Sequence, residues 1–201
     1  MFLSRMALDI GQEDTQNLVR SPTLQREMVY SAFPSSSGLV LWRMDSIEGR
    51  MWIVILSPIR PDLRYFHQQC GYQGVFPSWD ITDYDDILDN LDLRNTLNFE
   101  VCFCPFSSVR MPRDYLQDMN YIRSWLESQE KHGGFDISNI LSITSCWKMV
   151  DSKYTLYAWI EGKLWITDLP LFRSFCSGGI GENLDTGAGL MTVSENLSVW
   201  M

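Results

Sequence analysis

The residues with the clearest capacity for chemistry are carboxylates crowded into one short stretch. Six aspartates fall within the thirteen positions 80–92 with no cation among them: Asp80, Asp83, Asp85, Asp86, Asp89 and Asp92. Apolar residues recur between them at spacings of three and four, which predicts one amphipathic helix with its carboxylates facing outward. Such a face is either simply solvated or a docking surface for a basic partner. The run lacks the glycine and the terminal glutamate of a calcium loop, so no metal site is predicted there.

Thiols and imidazoles could offer nucleophilic or metal chemistry, but their spacing does not bring them together. The chain has five cysteines and two histidines. Cys102 and Cys104 alternate onto one face of a predicted strand, and metal binding needs more convergent ligands than these with the distant His67 and His132. The odd number of cysteines and the lack of a Cys-x-x-Cys pattern favour buried free thiols in a reducing compartment. No metal and no cofactor is predicted.

A glycine-rich stretch, residues 178–189, invites comparison with two short motifs. Asp185-Thr186-Gly187 copies the tripeptide that carries the catalytic aspartate of aspartic proteases, but one copy would need a homodimer, and no apolar strand immediately precedes it. The stretch lacks the Gly-Lys-Ser/Thr of a phosphate cradle, and Glu182 and Asp185 would repel phosphate. A structural loop is therefore the favoured interpretation.

The net charge of −9 is confined to two segments of the chain. Residues 65–109 hold one cation, Arg94, against seven acids, and residues 164–201 hold Arg173 against four. Ordinary binding to a phosphate backbone needs clustered Lys and Arg, so this distribution argues against it. The sequence contains no apolar run near the roughly 18 residues of a membrane span and no recognisable secretory signal. We expect a cytoplasmic protein with no membrane and no small-molecule partner.

The elements that must position these residues alternate between strand and helix in the first half. Ser21 is the predicted cap of one helix, with Pro22 in its first turn. In chain order the predicted elements are a strand over residues 1–10, a helix over 21–33, a hairpin of strands 39–45 and 51–57, a helix over 61–69 and the acidic helix.

The second half repeats this order of elements. The predicted elements are a strand over residues 95–103, a helix over 114–131, strands 135–143, 147–151, 154–160 and 163–167 with a tight turn at 161–162, a helix over 169–177, the glycine-rich loop and a strand over 190–193. The repetition predicts an α+β protein of two ferredoxin-like domains with antiparallel sheets, residues 1–92 and 93–201.

Several stretches, taken in order, resemble one family, CasE, the repeat endoribonuclease of type I-E CRISPR systems. In the first half these are Met1-Phe2-Leu3-Ser4-Arg5, Ser21-Pro22 before a helix that ends Ser31-Ala32-Phe33-Pro34, Leu41-Trp42-Arg43-Met44-Asp45, and Val54-Ile55-Leu56-Ser57 with Arg60-Pro61-Asp62. In the second half they are Phe99 to Pro105 and the glycine-rich loop with the strand that follows it. The resemblance runs nearly end to end and implies tandem ferredoxin-like domains of the RAMP type.

The resemblance also implies a reaction, and this chain departs from it. The family cleaves repeat RNA without metal, by attack of a ribose 2′-hydroxyl on the adjacent phosphate, with a helix histidine as general acid/base and a tyrosine three residues before it. Arg26 stands at the histidine position and Thr23 at the tyrosine position. A histidine exchanges protons near neutral pH, whereas an arginine does not, so Arg26 can steady a phosphate but cannot act as a base. We expect no catalytic residue at either degenerate position.

The RNA-binding positions implied by the resemblance have changed as well. Glu100 and Cys102 stand where the family has arginines, Cys104 replaces an asparagine, and Ser107 and Leu184 replace lysines. These departures fall in the two acidic segments, so we expect RNA binding that is weak or lost. The predicted partner-binding residues are the six aspartates of the acidic run together with Glu100, Glu182 and Asp185.

Three functions remain open from the sequence. The leading hypothesis is a CasE-like pseudoenzyme, encoded by a phage or mobile element, that binds subunits of the type I-E surveillance complex and blocks its assembly or crRNA loading as an anti-CRISPR decoy. The alternative is a genuine, divergent CasE subunit that cleaves repeat RNA and stays on the crRNA 3′ hairpin, with Arg26 and Tyr30 on one helix face as residual RNA contacts. A third is a structural cap that holds a crRNA end without cutting.

Overall fold

The computed structural model describes residues 1–34, 37–47, 49–74, 78–110 and 118–195. The chain divides into two compact units. The first unit comprises Met1–Asp86 together with Asp185–Gly187 of the glycine-rich loop, and the second comprises Ile87–Leu184 and Ala188–Met201. The sequence places the domain boundary after residue 92, whereas the structure divides between Asp86 and Ile87 and joins three loop residues to the first unit.

The first unit is a four-stranded antiparallel sheet with helices on one face. Its elements are β1 (Phe2–Leu8), α1 (Glu13–Arg20), α2 (Pro22–Tyr30), β2 (Leu41–Ile47), β3 (Arg50–Ser57), α3 (Arg64–Cys70) and β4 (Trp79–Asp83), and α4 (Tyr84–Asp89) follows them. The strand order is β2-β3-β1-β4. Alternation along β1 sends Met6 and Leu8 into a core with Trp42 and Ile53, while Arg5 lies on the opposite face.

The second unit repeats this architecture. Its elements are β5 (Leu97–Phe103), α5 (Met119–Glu127), α6 (Glu130–Gly133), β6 (Phe135–Val150), β7 (Lys153–Ile166), α7 (Leu169–Gly178) and β8 (Leu190–Ser194). The strands are antiparallel in the order β6-β7-β5-β8. Aromatic rings fill the helical side, where Phe103 stacks on Trp125 and Phe135 meets Phe172 edge-on. The predicted α+β class with antiparallel sheets is confirmed.

The predicted single helix over residues 80–92 is wrong. Asp80 and Asp83 lie on β4, where Asp80 is opposite Arg5 and Asp83 is opposite Phe2, and only Tyr84–Asp89 is helical. Trp79 and Ile81 alternate toward the core of the first unit, so the ladder with β1 outweighs the three- and four-residue spacing of the apolar side chains.

The predicted turn at residues 161–162 is also wrong. β6 and β7 are two long strands, and their turn lies at Asp151 and Ser152, both with positive φ angles of 46° and 64°. Gly162 lies within β7. A glycine is needed at this position because a Cβ there would come within 2.4 Å of the Asn139 carbonyl oxygen. This glycine marks a close backbone approach inside a sheet rather than a turn.

Two helices differ from the predicted ones. Helix α1 was not predicted, although it carries acids in its first turn and Arg20 in its last. The helix predicted over residues 114–131 is observed as α5 and α6, with Asp118 as the N-cap of α5, and its predicted first residues, 114–117, lie outside the described residues. In the described ranges, no helix is long and apolar enough to cross a membrane.

Candidate functional site

Helix α2 carries the residues at the degenerate catalytic positions. Ser21 begins the helix by accepting a hydrogen bond on its Oγ from the Leu24 backbone N–H at 3.3 Å, and Pro22 occupies the first turn. The predicted cap is therefore confirmed. Spacings of three and four then place Thr23, Arg26 and Tyr30 along one side of α2, each of them half-buried.

Arg26 is paired with a carboxylate from the glycine-rich loop. Its Nη1 donates to Asp185 Oδ2 at 3.1 Å, with the two side chains 31 % and 54 % exposed. A pair this exposed contributes about 1 kcal/mol or less to stability. The pair matters more for catalysis than for stability, because the Arg26 guanidinium keeps its proton at any relevant pH and here faces an anion. Asp185 also meets a cation rather than the second carboxylate that aspartic-protease chemistry requires.

Tyr30 lies one turn beyond Arg26 and is held as a neutral phenol. Burial raises the pKa of Tyr30 above its usual value, the Asp185 carboxylate raises it further, and Arg26 opposes the shift. The ring meets Trp42 edge-on, with centroids 6.1 Å apart. Since an ordinary tyrosine is already protonated at neutral pH, a raised pKa makes Tyr30 a still poorer general base.

Gly187 fixes the loop against α2. Its φ of +86° favours glycine, and a Cβ there would lie 2.9 Å from both Gln25 Oε1 and Trp42 Nε1. Gln25 in turn donates from Nε2 to the Leu18 and Val19 carbonyl oxygens at 3.1 and 3.0 Å, which ties the end of α1 to α2. The close approach of the loop backbone therefore sets where Asp185 meets Arg26.

Cations inside the first unit neutralise part of the acidic run. Asp80 accepts from Arg5 Nε with both carboxylate oxygens, at 3.1 and 2.9 Å. The Met1 amine lies 3.8 Å from Asp83 Oδ1 and directly contacts Asp85. These carboxylates do not all project freely to solvent, as the helix interpretation required.

The same holds for the part of the run in the second unit. Arg173 Nη2 donates to Asp89 at 2.5 Å, and Arg94 Nε donates to Asp92 at 2.9 Å. Hydrogen bonds from the side chain and backbone of Arg94 lower the pKa of Asp92. Arg94 and Arg173 are the two cations that the acidic segments contain, and both pair with this run. Asp86 is exposed on α4.

Two glutamates predicted as partner-binding residues lie in the second unit. Glu100 is half-buried in the middle of the sheet, directly opposite Glu161 on β7 and Thr192 on β8. Glu182 is exposed and accepts from Ser107 Oγ at 3.2 Å. Like charges directly opposite each other on neighbouring strands destabilise a sheet, so the Glu100–Glu161 register is unfavourable by itself.

The thiols are structural. Cys70, Cys102, Cys104 and Cys176 are buried, Cys146 is partly exposed, and none of the five forms a disulfide. Burial raises the pKa of Cys104 well above the normal range, so it remains an unreactive thiol. Within the described residues, no group of three or more His, Cys, Asp or Glu side chains is placed to hold a metal ion.

A cation among aromatic rings on β6 and β7 was missed from the sequence. Lys148 Nζ lies 4.9 Å from the Tyr157 ring centroid and 5.1 Å from that of Trp159, and these two rings stack at 5.8 Å. The sequence signal for this cluster is the two-residue spacing of Tyr157 and Trp159, which places both rings on one face of a strand. Tyr157 is buried, so this is a packed cation–π cluster and its ring is not open for stacking on a base.

Comparison with known proteins then defines the class. Residues 1–195 match the family described as CRISPR associated protein, and the chain belongs to that family. The predicted resemblance to CasE is confirmed, because the family matches and the similar solved structures include the CRISPR endoribonuclease Cse3 and the CRISPR-associated protein Cas6e. No curated protein matches the chain.

Three solved structures show the shared fold. Thermus thermophilus Cse3, bound to an RNA that represents a pre-cleavage complex, is 20 % identical over 96 % of this chain and 98 % of its own, with a TM-score of 0.72. Cas6e from Escherichia coli K-12 is 13 % identical over 98 % and 100 %, with a TM-score of 0.64. A chain of a CRISPR RNA-guided surveillance complex in a pre-nicking state is 16 % identical over 98 % and 100 %, with a TM-score of 0.63. The predicted tandem ferredoxin-like fold is confirmed.

Proposed function

We propose that this chain is a CasE-like pseudoenzyme that contacts protein subunits of the type I-E CRISPR surveillance complex and antagonises its assembly or its loading with crRNA. The observation that carries the proposal is the Arg26–Asp185 ion pair, 3.1 Å long, on the helix where the family has its general acid/base. The proposal has two parts, loss of catalysis and action through protein contacts.

The loss of catalysis follows from proton chemistry. Attack of a 2′-hydroxyl on the adjacent phosphate needs a group that removes a proton and a group that returns one to the leaving oxygen. The guanidinium of Arg26 cannot give up its proton, and Asp185 stabilises its charge further. Tyr30 is held neutral, and Thr23 offers a hydroxyl with no basic character. A phosphate approaching Arg26 would also meet the carboxylate of Asp185.

Two observations support action through protein contacts: the assembly in which a relative is found and the net charge of this chain. A relative of the same length forms part of a CRISPR RNA-guided surveillance complex, so this fold can be held among protein subunits. The net charge of −9 disfavours a phosphate backbone and favours basic protein surfaces.

A genuine, divergent endoribonuclease is the competing function, because one relative binds RNA with this same fold. It would have to use Arg26 and Tyr30 in place of the family's residues. The two functions differ in whether purified protein cuts repeat RNA, so a cleavage assay separates them.

The first experiment measures cleavage of a type I-E repeat RNA in EDTA. We expect no site-specific product from the natural chain, and a product from a Thr23→Tyr/Arg26→His variant, which restores the family's residues at both positions. Arg20→His, on α1, is the matched control and should be inactive. Cleavage by the natural chain that Arg26→Ala or Tyr30→Phe abolishes would overturn the pseudoenzyme.

The second experiment tests protein contacts by co-expressing the tagged chain with the subunits of a type I-E complex. We expect capture of at least one subunit and reduced interference in cells. Failure to capture any subunit, together with undiminished interference, would refute the proposed antagonism.

A further inference from the structure

Three helices of the first unit enclose a groove that the catalytic positions do not use. Helices α1, α2 and α3 line a cavity of about 410 Å³. Its apolar lining residues are Leu18, Leu24, Met28, Tyr65 and Cys70. Leu24 is 41 % exposed and Tyr65 is more exposed still, so large apolar side chains border the open mouth of the groove.

The rim of this groove carries two carboxylates that differ from those of the acidic run. Asp14 on α1 and Glu27 on α2 both line it, and both are exposed. Neither has an ion pair with any residue that the structure describes. Among the residues that the structure describes, none that lines the groove is Lys or Arg. Asp80 is thus paired with Arg5 within the first unit, whereas Asp14 and Glu27 leave negative charge beside the apolar surface of the groove.

We propose that this groove docks an amphipathic, basic helix of a protein partner. Leu24 and Met28 are one turn apart and form a ridge of the kind that packs against another helix. Leu or Met side chains of the partner fill the groove, and its Lys or Arg side chains lie beside Asp14 and Glu27. This deepens the proposed function, since it gives the protein contact a place and a partner chemistry.

The negative charge at the rim favours a basic helix over RNA or a second copy of this chain as the occupant of the groove. RNA would bring phosphates toward Asp14 and Glu27, which repel them. A second copy would bring another chain of net charge −9 toward the same carboxylates. A basic helix satisfies both the apolar lining and the rim.

The test uses fluorescence anisotropy with a defined probe. The probe is a labelled 16-residue helical peptide with Leu and Met on one face and Lys on its flanks, and a second peptide carries Glu in place of Lys. We expect the Lys peptide to bind with an affinity that falls as salt rises, and the Glu peptide to bind at least about tenfold more weakly.

Matched variants locate the binding. Leu24→Asp should weaken binding of the Lys peptide by about tenfold or more, because it places a charge in the apolar contact. Leu171→Asp, on α7 and 40 % exposed, should leave the affinity unchanged. Glu27→Gln should cost about two- to fivefold and reduce the salt dependence, whereas Glu127→Gln on α5 should do neither. Circular dichroism of each variant checks that it folds.

Several outcomes would overturn the groove. These are equal binding by Leu24→Asp and Leu171→Asp, equal binding of the Lys and Glu peptides, absence of binding, or a dimer of the natural chain that Leu24→Asp dissociates. Subunit capture that persists in Leu24→Asp would refute the groove and leave the proposed function standing. Peptide binding at the groove without subunit capture by the natural chain would do the reverse.

Discussion

Arg26 and Tyr30 lie near one carboxylate, that of Asp185, which acts on both side chains. Burial is the largest cause of the raised pKa of Tyr30, Asp185 adds to it, and Arg26 acts against it. The carboxylate thus stabilises the charged guanidinium and the neutral phenol together. Both effects hold protons in place, which is the opposite of what acid/base catalysis near neutrality requires.

This arrangement predicts opposite shifts from two substitutions. Asp185→Asn removes an anion that raises the pKa of Tyr30, so that pKa should fall; Arg26→Gln removes a cation that lowers it, so it should rise further. Carbon-13 NMR titration of Cζ-labelled tyrosines measures both shifts, with Tyr30→Phe identifying the signal. Arg20→Gln should have no effect. Shifts of the same sign would contradict the arrangement.

At the scale of elements, the β6–β7 hairpin depends on one glycine. Gly162 lies opposite Ile140, next to a register shift in β6 between Ile140 and Ser142. A Cβ at Gly162 would lie 2.4 Å from the Asn139 carbonyl oxygen and 2.7 Å from the Phe99 ring. Neither neighbour is the free end of a flexible side chain, so the strand itself would have to move.

Gly162→Ala should therefore destabilise the protein by about 1–3 kcal/mol, through overpacking within the sheet. Urea unfolding measures the change. Gly178→Ala is the matched control and should be close to neutral, because no described atom outside the neighbouring backbone of its own helix lies within 4 Å of its Cβ position. Equal stability of the two variants would show that the hairpin accommodates the methyl group.

The elements also show where local pattern succeeds and fails. Ser21-Pro22 predicts the start of α2 because a cap and a proline act within one turn. Residues 80–83 form a strand because β1 pairs with them, and a partner about 75 positions away leaves no local signal. Helix α1 was missed for a related reason, since only Thr15 and Leu18 of its eight residues are buried.

At the scale of the whole molecule, ion pairs divide into exposed and buried ones. Asp92 and Arg94 pair across two positions with Arg94 89 % exposed, whereas Arg43 and Asp45 pair across the same spacing with side chains only 3 % and 10 % exposed. Exposed pairs set the charge that a partner meets. In a buried pair, removal of either member leaves the other charge uncompensated and strongly destabilises the fold.

Arg43→Ala should consequently destabilise the protein by about 3–5 kcal/mol, because it leaves Asp45 buried without its cation. Arg94→Ala removes a pair of the same spacing from the surface and should change stability little. Urea unfolding of both variants checks the contrast. A small effect of Arg43→Ala would mean that water or a neighbouring group replaces the guanidinium.

The repeated order of strands and helices was enough to predict the tandem fold, whereas the site depended on distant contacts. Arg26 and Asp185 are 159 positions apart, and nothing local to either residue predicts their pairing. The groove beside α2 was not predicted, because α1, which supplies Asp14 and Leu18, was itself missed. The acidic run is a dense cluster of unpaired charge in the sequence, yet in the structure much of that charge is paired with cations from other segments.

The packing of the thiols has a practical consequence for spectroscopy. Four of the five cysteines are buried, and Cys146 alone is partly exposed, on β6 beside Trp147. Burial also raises the pKa of Cys146, so alkylation there is favoured by alkaline solution. The natural chain thus carries one attachment point for a spin label or fluorophore on the β6–β7 hairpin, and distances from it can be followed without removing any cysteine.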